Sequence, residues 1–341
     1  MDPVVVVRTP DELLAALPHM VGFNPQESIL VVPVSRGLPM SRVDLPRTAE
    51  DRAEVVRNLH GPYARYARPG AQVALVCVTE DRRSAELASQ HVAAGLEKAG
   101  VGTQVRLWAT DERWVEFNTG EAGNRTQETS TRIAAESVMA GTARPAPTRA
   151  SLAESLIGER EPLAALLTAV REATKKSTPV AERNWALDRL EQFHADGNRL
   201  SDPDAARLLV AIESTETRDA LWQDMSRDNA REHSALWTDL TRRAPDEVRT
   251  PAASLLAFSS WLEGNGAKAW CALDQIPEGP PYSMASLVAT VLQGGVHPDN
   301  WERLGATGPE TETFTPPSPT HRHERDVPRG PEAPGRNAPP R

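Results

Sequence analysis

A nearly continuous apolar run over residues 29–34 most constrains the fold of this chain. A strand without alternating polar residues must be covered on both faces, as in sheets packed between helices. The run follows a turn-forming stretch at residues 22–28, which follows an amphipathic helix that opens at Thr9-Pro10-Asp11-Glu12. Proline and acidic residues suit a first helical turn, and Gly22 can close the helix. A capped helix leading into a buried strand predicts an α/β layer.

Strand and helix patterns alternate over residues 1–118. Apolar runs predict strands at residues 4–7, 29–34, 42–45, 73–78, 104–108 and 114–117, the last two joined as a hairpin. Helical spacing predicts helices from Asp11, over residues 48–66 and over residues 84–99. The polar stretch at residues 120–129 is predicted as a loop. This alternation predicts an α/β N-terminal domain with a mixed or largely parallel sheet and packed helices.

Beyond Thr131 the strand patterns disappear and helix patterns dominate. An all-α helical domain is predicted over residues 151–304, joined to the first domain by a loop and connecting helix over residues 119–150. Within it, residues 255–273 resemble one tetratricopeptide-like helical hairpin. Residues 305–341 are rich in proline and charge with almost no aliphatic side chains, which predicts a disordered tail.

Composition restricts the classes of partner. Asp and Glu outnumber Lys and Arg by 47 to 38, whereas nucleic-acid-binding surfaces are basic, so no nucleic acid is expected as a partner. No apolar run approaches the ~18 residues of a membrane span, so no membrane partner is expected. Cys77 and Cys271 have no second cysteine or histidine at ligand spacing. We therefore predict no metal site, no cofactor and a reducing, cytoplasmic location.

Motifs of common catalytic sites do not occur in the sequence. Gly100-Val101-Gly102 stands between a helix and a strand, the reverse of the order in dinucleotide sites. Ser28 lacks a nucleophile elbow, and we expect it to bond its own backbone in a turn. His19 stands at a helix C-terminus, where the helix dipole favours a histidine. No catalytic residue is assigned.

Several motifs together resemble one family. The entry stretch contains Gly22, Phe23, Asn24, Pro25 and Ser28, and later stretches are Arg113-Trp114, Ala134 to Gly141, Pro147-Thr148-Arg149 and Tyr282 to Leu287. This set resembles the actinobacterial proteins of the domain of unknown function 4192 family over residues 4–304. The resemblance implies no agreed activity. Many relatives carry cysteines after the Arg-Trp strand, whereas residues 117–127 here contain none, which weakens the idea of a shared thiol or metal site.

One location is predicted for a ligand. Open α/β sheets bind ligands outside the carboxyl ends of their strands. Polar residues follow three predicted strands directly: Ser35 and Arg36, then Thr79, Glu80 and Asp81, then Thr110 and Asp111. We expect Arg36, Glu80, Asp81 and Asp111 to converge on one pocket.

Two functions remain open from the sequence. The first is an accessory or protein-interaction module without catalysis, which binds a protein partner through the helical domain. The alternative is a small-molecule or nucleotide-binding enzyme whose site lies at the carboxyl edge of the sheet.

Overall fold

The computed structural model of the chain describes residues 7–301. The predicted strand at residues 4–7, apart from Val7, and the predicted disordered tail lie outside the described residues. The strands are β1 (Ser28–Pro33), β2 (Ser41–Asp44), β3 (Gln72–Val78), β4 (Gly102–Ala109), β5 (Arg113–Glu116) and β6 (Ala122–Asn124). The helices are α1 (Pro10–Val21), α2 (Ala49–Tyr66), α3 (Arg82–Lys98), α4 (Gln127–Met139), α5 (Arg149–Glu154), α6 (Glu161–Thr174), α7 (Pro179–Asp196), α8 (Asp202–Ala211), α9 (Thr215–Gln223), α10 (Ala230–Arg243), α11 (Asp246–Leu262), α12 (Gly266–Leu273) and α13 (Ser283–Gln293).

The strands form one mixed six-stranded sheet in the order β2-β1-β3-β4-β5-β6. Strands β3 and β4 pair in parallel, and the other neighbouring strands pair antiparallel. The predicted mixed sheet with packed helices, followed by a helical region, is confirmed at this level. The hairpin predicted between the two strands that flank Thr110 to Glu112 is β4 and β5.

Strand β6 and the start of α4 lie inside the stretch predicted as a loop, so that prediction is wrong for residues 122–124 and 127–129. Ala-Gly-Asn carries no β-forming side chain, and the strand exists because it pairs with β5. Gly123 also provides space for a neighbour, since a Cβ there would lie 2.6 Å from Cζ2 of Trp114. Tertiary pairing and close packing therefore determine β6.

Helices cover both faces of the sheet, as the apolar run at residues 29–34 predicts. One face carries Ile29, Val31, Val73, Leu75 and Cys77, which pack with side chains of α2 and α3. The other face carries Leu30, Val32, Ala74 and Val76, which pack with Leu14, Leu17 and Val21 of α1. The period of two along each strand places alternate residues in the two cores.

Capping residues set the ends of the first helices. Thr9 and Glu12 form a capping box at the start of α1, and Gly22 ends that helix at φ +81°. Thr48 and Asp51 form a second capping box at the start of α2. These local signals fix where the chain enters β1, because the turn at residues 22–27 begins where α1 ends.

Helix α11 is the centre of the helical region. Almost all of its side chains from Val248 to Leu262 are buried, and α8, α10, α12 and α13 pack around it. Residues 7–301 belong to one compact unit, and Leu152 packs against the cores of both the helical region and the sheet. The domain boundaries predicted near residues 118, 150 and 304 stay predictions. Within the described residues, no helix is both long and apolar enough to cross a membrane.

Candidate functional site

The direction of β1 decides which residues lie at the carboxyl ends of β3 and β4. Ser28 is opposite Val78 and Pro33 is opposite Val73, so β1 runs antiparallel to β3. The start of β1, and not its end, therefore lies beside the carboxyl end of β3. The cause is the β1–β2 hairpin, which reverses the chain before α2 leads to β3.

Ser35 and Arg36 consequently lie at the opposite edge of the sheet. The backbone N–H of Gln72, at the start of β3, donates a hydrogen bond to Ser35 Oγ at 2.9 Å. The expected convergence of Arg36 with Glu80, Asp81 and Asp111 is therefore wrong. The turn before β1 lies beside the carboxyl end of β3, where Ser35 and Arg36 were expected. We call residues 24–28 the motif loop.

The motif loop bonds to the residues that follow β3 and β4. Gln26 Nε2 donates to Asp111 Oδ1 at 3.3 Å, and Thr79 Oγ1 donates to Glu27 Oε1 at 2.9 Å. Glu27 has a φ of +45° and is the one non-glycine residue in the described part of the chain with a positive φ. Such strained conformations persist only where the surrounding structure holds them in place. They are over-represented at functional sites.

A cavity with a volume of about 370 Å³ lies beside the motif loop. Its apolar lining is Leu14, Leu17, Pro18, Pro25, Val78 and Pro147, and its polar lining is Asn24, Gln26, Asp111, Arg125, Thr126, Gln127 and Ser130. We call this space the motif cavity. Polar side chains outnumber apolar ones in this lining, so the cavity suits a polar ligand.

Arg125 places the main positive charge on this cavity. Its guanidinium donates to the Thr110 carbonyl at 3.2 Å and lies 4.0 Å from the Asp111 carboxylate. The following residue, Thr126, caps α4, and its hydroxyl donates to Asp11 Oδ2 at 2.8 Å. The sequence interpretation missed both residues, since they lie in the stretch predicted as a loop.

A family model matches residues 10–299 of the chain. The chain belongs to the family described as Domain of unknown function (DUF4192). No curated protein and no solved structure matches it. The family assignment therefore confirms the resemblance seen in the motifs and names no activity. In this DUF4192 chain two of the motif residues, Asn24 and Pro25, line the motif cavity.

The other motif residues of the DUF4192 chain support the turn and the sheet. Phe23 is buried, and Asn24 N donates to the Ala146 carbonyl at 3.0 Å. Ser28 is buried and donates to the Gln26 carbonyl at 2.6 Å, which is the local turn bond expected for it. Trp114 is buried against Gly123. Of these residues Asn24 lines the motif cavity, whereas Phe23, Ser28 and Trp114 do not.

Glu80 and Asp81 lie after β3 but do not line the motif cavity. Asp81 caps α3, where it accepts hydrogen bonds from the Ser84 hydroxyl at 2.6 Å and the Ser84 backbone N–H at 3.0 Å. These two bonds lower the pKa of Asp81 below its usual value. Glu80 is exposed. Of the four predicted pocket residues, Asp111 alone lines the cavity.

His19 of the DUF4192 chain occupies the last turn of α1 and does not line the motif cavity. Burial lowers the pKa of His19, which opposes the dipole interaction expected at a helix C-terminus. His19 therefore carries little positive charge at neutral pH.

A second group of side chains has the chemistry of a metal site. His194, Asp224 and His233 each offer a ligand atom, and these atoms lie within 4.8 Å of one another. All three belong to the helical region, and none lines the motif cavity. Sequence spacing gave no signal for this group, because His194 is 30 positions from Asp224 and lies on another helix.

Proposed function

We propose that this DUF4192 chain binds a small polar ligand in the motif cavity. One observation carries the proposal: the motif loop, the carboxyl ends of β3 and β4 and the start of α4 meet around one cavity of about 370 Å³. The predicted location at the carboxyl edge of the sheet is kept in this proposal. Asp111 is retained, whereas Asn24, Gln26 and Arg125 take the role expected of Arg36, Glu80 and Asp81.

The lining favours a ligand with one apolar face and one oxygen-rich end. Leu14, Leu17 and Val78 offer apolar contact, whereas Asn24 and Gln26 offer amide groups that both donate and accept hydrogen bonds. Arg125 can donate two parallel hydrogen bonds to a carboxylate or phosphate. Nucleosides and nucleotides combine these features, and they are the first compounds to test.

A thermal-shift screen against nucleotides and common metabolites tests the proposal. A ligand at 100 times its dissociation constant adds about 2.7 kcal/mol to the free energy of unfolding. We expect that Arg125→Gln abolishes the stabilisation and that Arg36→Gln, at the opposite edge of the sheet, preserves it. The proposal is contradicted if no compound in the panel stabilises the unmodified chain. It is also contradicted if a ligand stabilises Arg125→Gln and Arg36→Gln equally.

Binding of a protein partner by the helical region is a second candidate function. It is supported by a groove of about 570 Å³ whose wall includes Glu159, Arg199, Asp202, Asp239 and Arg242. The groove carries both positive and negative side chains, which suits a partner segment that carries both charges. Pull-down with the full chain should recover a partner that Arg242→Glu loses. Equal recovery by the two proteins contradicts this function.

The tetratricopeptide-like hairpin predicted at residues 255–273 belongs to this second candidate. Helices α11 and α12 pack against each other, in keeping with a helix pair. Because α11 is buried along most of its length, its side chains are not available to line a binding surface. In this candidate the partner therefore contacts the charged groove. A cytoplasmic location is part of both candidates, supported by the two free, buried cysteines.

A further inference from the structure

Three helix ends bring His194, Asp224 and His233 together. His194 lies in the last turn of α7, Asp224 is the residue that ends α9, and His233 lies in the first turns of α10. His233 Nε2 lies 2.9 Å from Asp224 Oδ2, and the two histidine rings stand edge to face with their centroids 4.8 Å apart. Side chains from three separate elements thus converge on one point.

His194 has one ring nitrogen that the surrounding protein leaves unused. Its Nε2 is buried and has no hydrogen-bond partner among the described residues. Its Nδ1 faces the Glu232 carboxylate at 3.9 Å. A histidine that ligates a metal through one nitrogen usually presents the other to a carboxylate or carbonyl, which holds the ring in place. Glu232 lies on the side of His194 where such a carboxylate is found, at a distance longer than a hydrogen bond.

Asp224 is held in place and is open to solvent. The Asn229 side-chain amide donates to the Asp224 carbonyl at 2.8 Å and to Asp224 Oδ2 at 3.3 Å. The Asp224 side chain is 44% exposed, whereas that of His233 is fully buried. An ion can therefore enter from the side of Asp224, while the buried histidine forms the inner wall.

The hydrogen bonds of His233 indicate which of its ring nitrogens carries the proton. Trp237 Nε1 donates to His233 Nδ1 at 3.4 Å, so the proton lies on Nε2 and is donated to Asp224. Metal binding through Nε2 moves that proton to Nδ1 and ends the Trp237 bond, which is long and therefore weak.

We infer that His194, Asp224 and His233 form a binding site for a divalent transition-metal ion, with Zn²⁺ as the probe. Two imidazoles and one carboxylate are a ligand set that zinc and iron(II) sites use. Three protein ligands leave at least one position of the ion for water. The site is independent of the motif cavity, because the two share no residue.

Calorimetric titration of the metal-stripped full chain with Zn²⁺ at neutral pH tests the inference. We expect one ion per chain and an affinity that falls by at least about tenfold in His194→Gln and in Asp224→Asn. His91→Gln is the matched control, because His91 is exposed on α3 and away from the cluster. The Zn²⁺ affinity of His91→Gln should equal that of the unmodified chain.

A second measurement identifies His233 as a ligand without replacing this buried side chain. In nitrogen-labelled protein, we expect the His233 proton to move from Nε2 to Nδ1 when Zn²⁺ is added. Equal Zn²⁺ affinity in all three variants would assign the ion elsewhere, for example to His321 and His323, and would overturn the inference. No uptake of Zn²⁺ by the unmodified chain, or an unchanged His233 spectrum, would also overturn it.

Discussion

Glu27 accepts a hydrogen bond from Thr79 at 2.9 Å, so the turn before β1 is joined to the residue that follows β3. The same carboxylate accepts from Arg47 at 2.5 Å, and the Glu27 carbonyl accepts from the Leu45 backbone N–H at 2.8 Å. These three bonds hold Glu27 at its positive φ. The motif loop is therefore fixed to the edge of the sheet that carries the motif cavity.

Replacement of Glu27 separates backbone strain from side-chain bonding. Glu27→Gly and Glu27→Ala both lose the bonds to Thr79 and Arg47, but only glycine adopts the positive φ without a steric cost. We expect Glu27→Gly to be the more stable of the two by about 1 kcal/mol in urea unfolding. At the exposed helical residue Glu86, glycine should instead be less stable than alanine by about 1 kcal/mol. If the glycine and alanine variants rank in the same order of stability at positions 27 and 86, Glu27 is not strained.

Gly22 combines a positive φ with a close neighbour. A Cβ at Gly22 would lie 3.1 Å from Asn265 Nδ2, whereas a Cβ at Gly37, which also has a positive φ, would meet nothing within 4 Å. Gly37→Ala should cost about 1 kcal/mol for the backbone alone. Gly22→Ala should cost about 1 kcal/mol more for crowding. We expect Asn265→Ala to remove that difference, as a double-mutant cycle measured by denaturation would report. A cycle without coupling would place Asn265 away from Gly22.

The two cysteines should be unreactive in the folded chain. Cys77 and Cys271 have no exposed surface, and burial raises the pKa of Cys77 to about 12. Thiolates are the reactive form, so we expect almost no labelling by a thiol reagent at neutral pH and labelling of both residues after denaturation. Rapid labelling of the native protein would contradict their burial.

Glu116 should make the stability depend on pH. Burial opposes its charge, but hydrogen bonds from the backbone N–H groups of Arg106 and Thr119 hold the pKa of Glu116 below its usual value of 4.5. A carboxyl group whose pKa is lowered by folding stabilises the folded chain at pH values above the pKa of the unfolded chain. That stabilisation is lost as the pH falls through the lowered pKa of the folded chain. We expect Glu116→Gln to cost about 1–3 kcal/mol at pH 7.

The difference between Glu116→Gln and the unmodified chain should shrink as the pH falls below 4.5. Urea unfolding at several pH values measures it. Glu97→Gln, on the exposed side of α3, is the control and should leave the free energy of unfolding nearly unchanged. If the free energy of unfolding that Glu116→Gln loses is the same at every pH down to the most acidic one tested, the backbone N–H groups do not stabilise the charge of Glu116.

The sequence predicts the buried strands well because apolar runs report burial directly. β1, β3 and β4 lie where those runs predict, and α1 and α2 begin within one residue of their predicted starts. The direction of β1 relative to β3 was beyond this kind of reasoning. Apolar periodicity carries no strand direction, and the β1–β2 hairpin reverses the chain by pairing alone.

The candidate sites were less predictable than the fold. Asp111 was found because it directly follows a strand, whereas Arg125 was missed because β6 has no strand pattern. The motif loop was explained as turn and strand entry, which is correct for Ser28 but leaves out the contact of Gln26 with Asp111. His194 and Asp224 come from different helices, and only packing brings them together.

Cross-linking of cysteine pairs tests most directly whether the motif loop and the carboxyl ends of β3 and β4 form one site. Gln26 contacts Asp111, whereas Arg36 lies at the other end of β3, about 23 Å away at about 3.3 Å for each of its seven residues. A short bismaleimide should join cysteines introduced at positions 26 and 111 and should not join those at 36 and 111. Cross-linking of the 36/111 pair, with none for the 26/111 pair, would contradict the account.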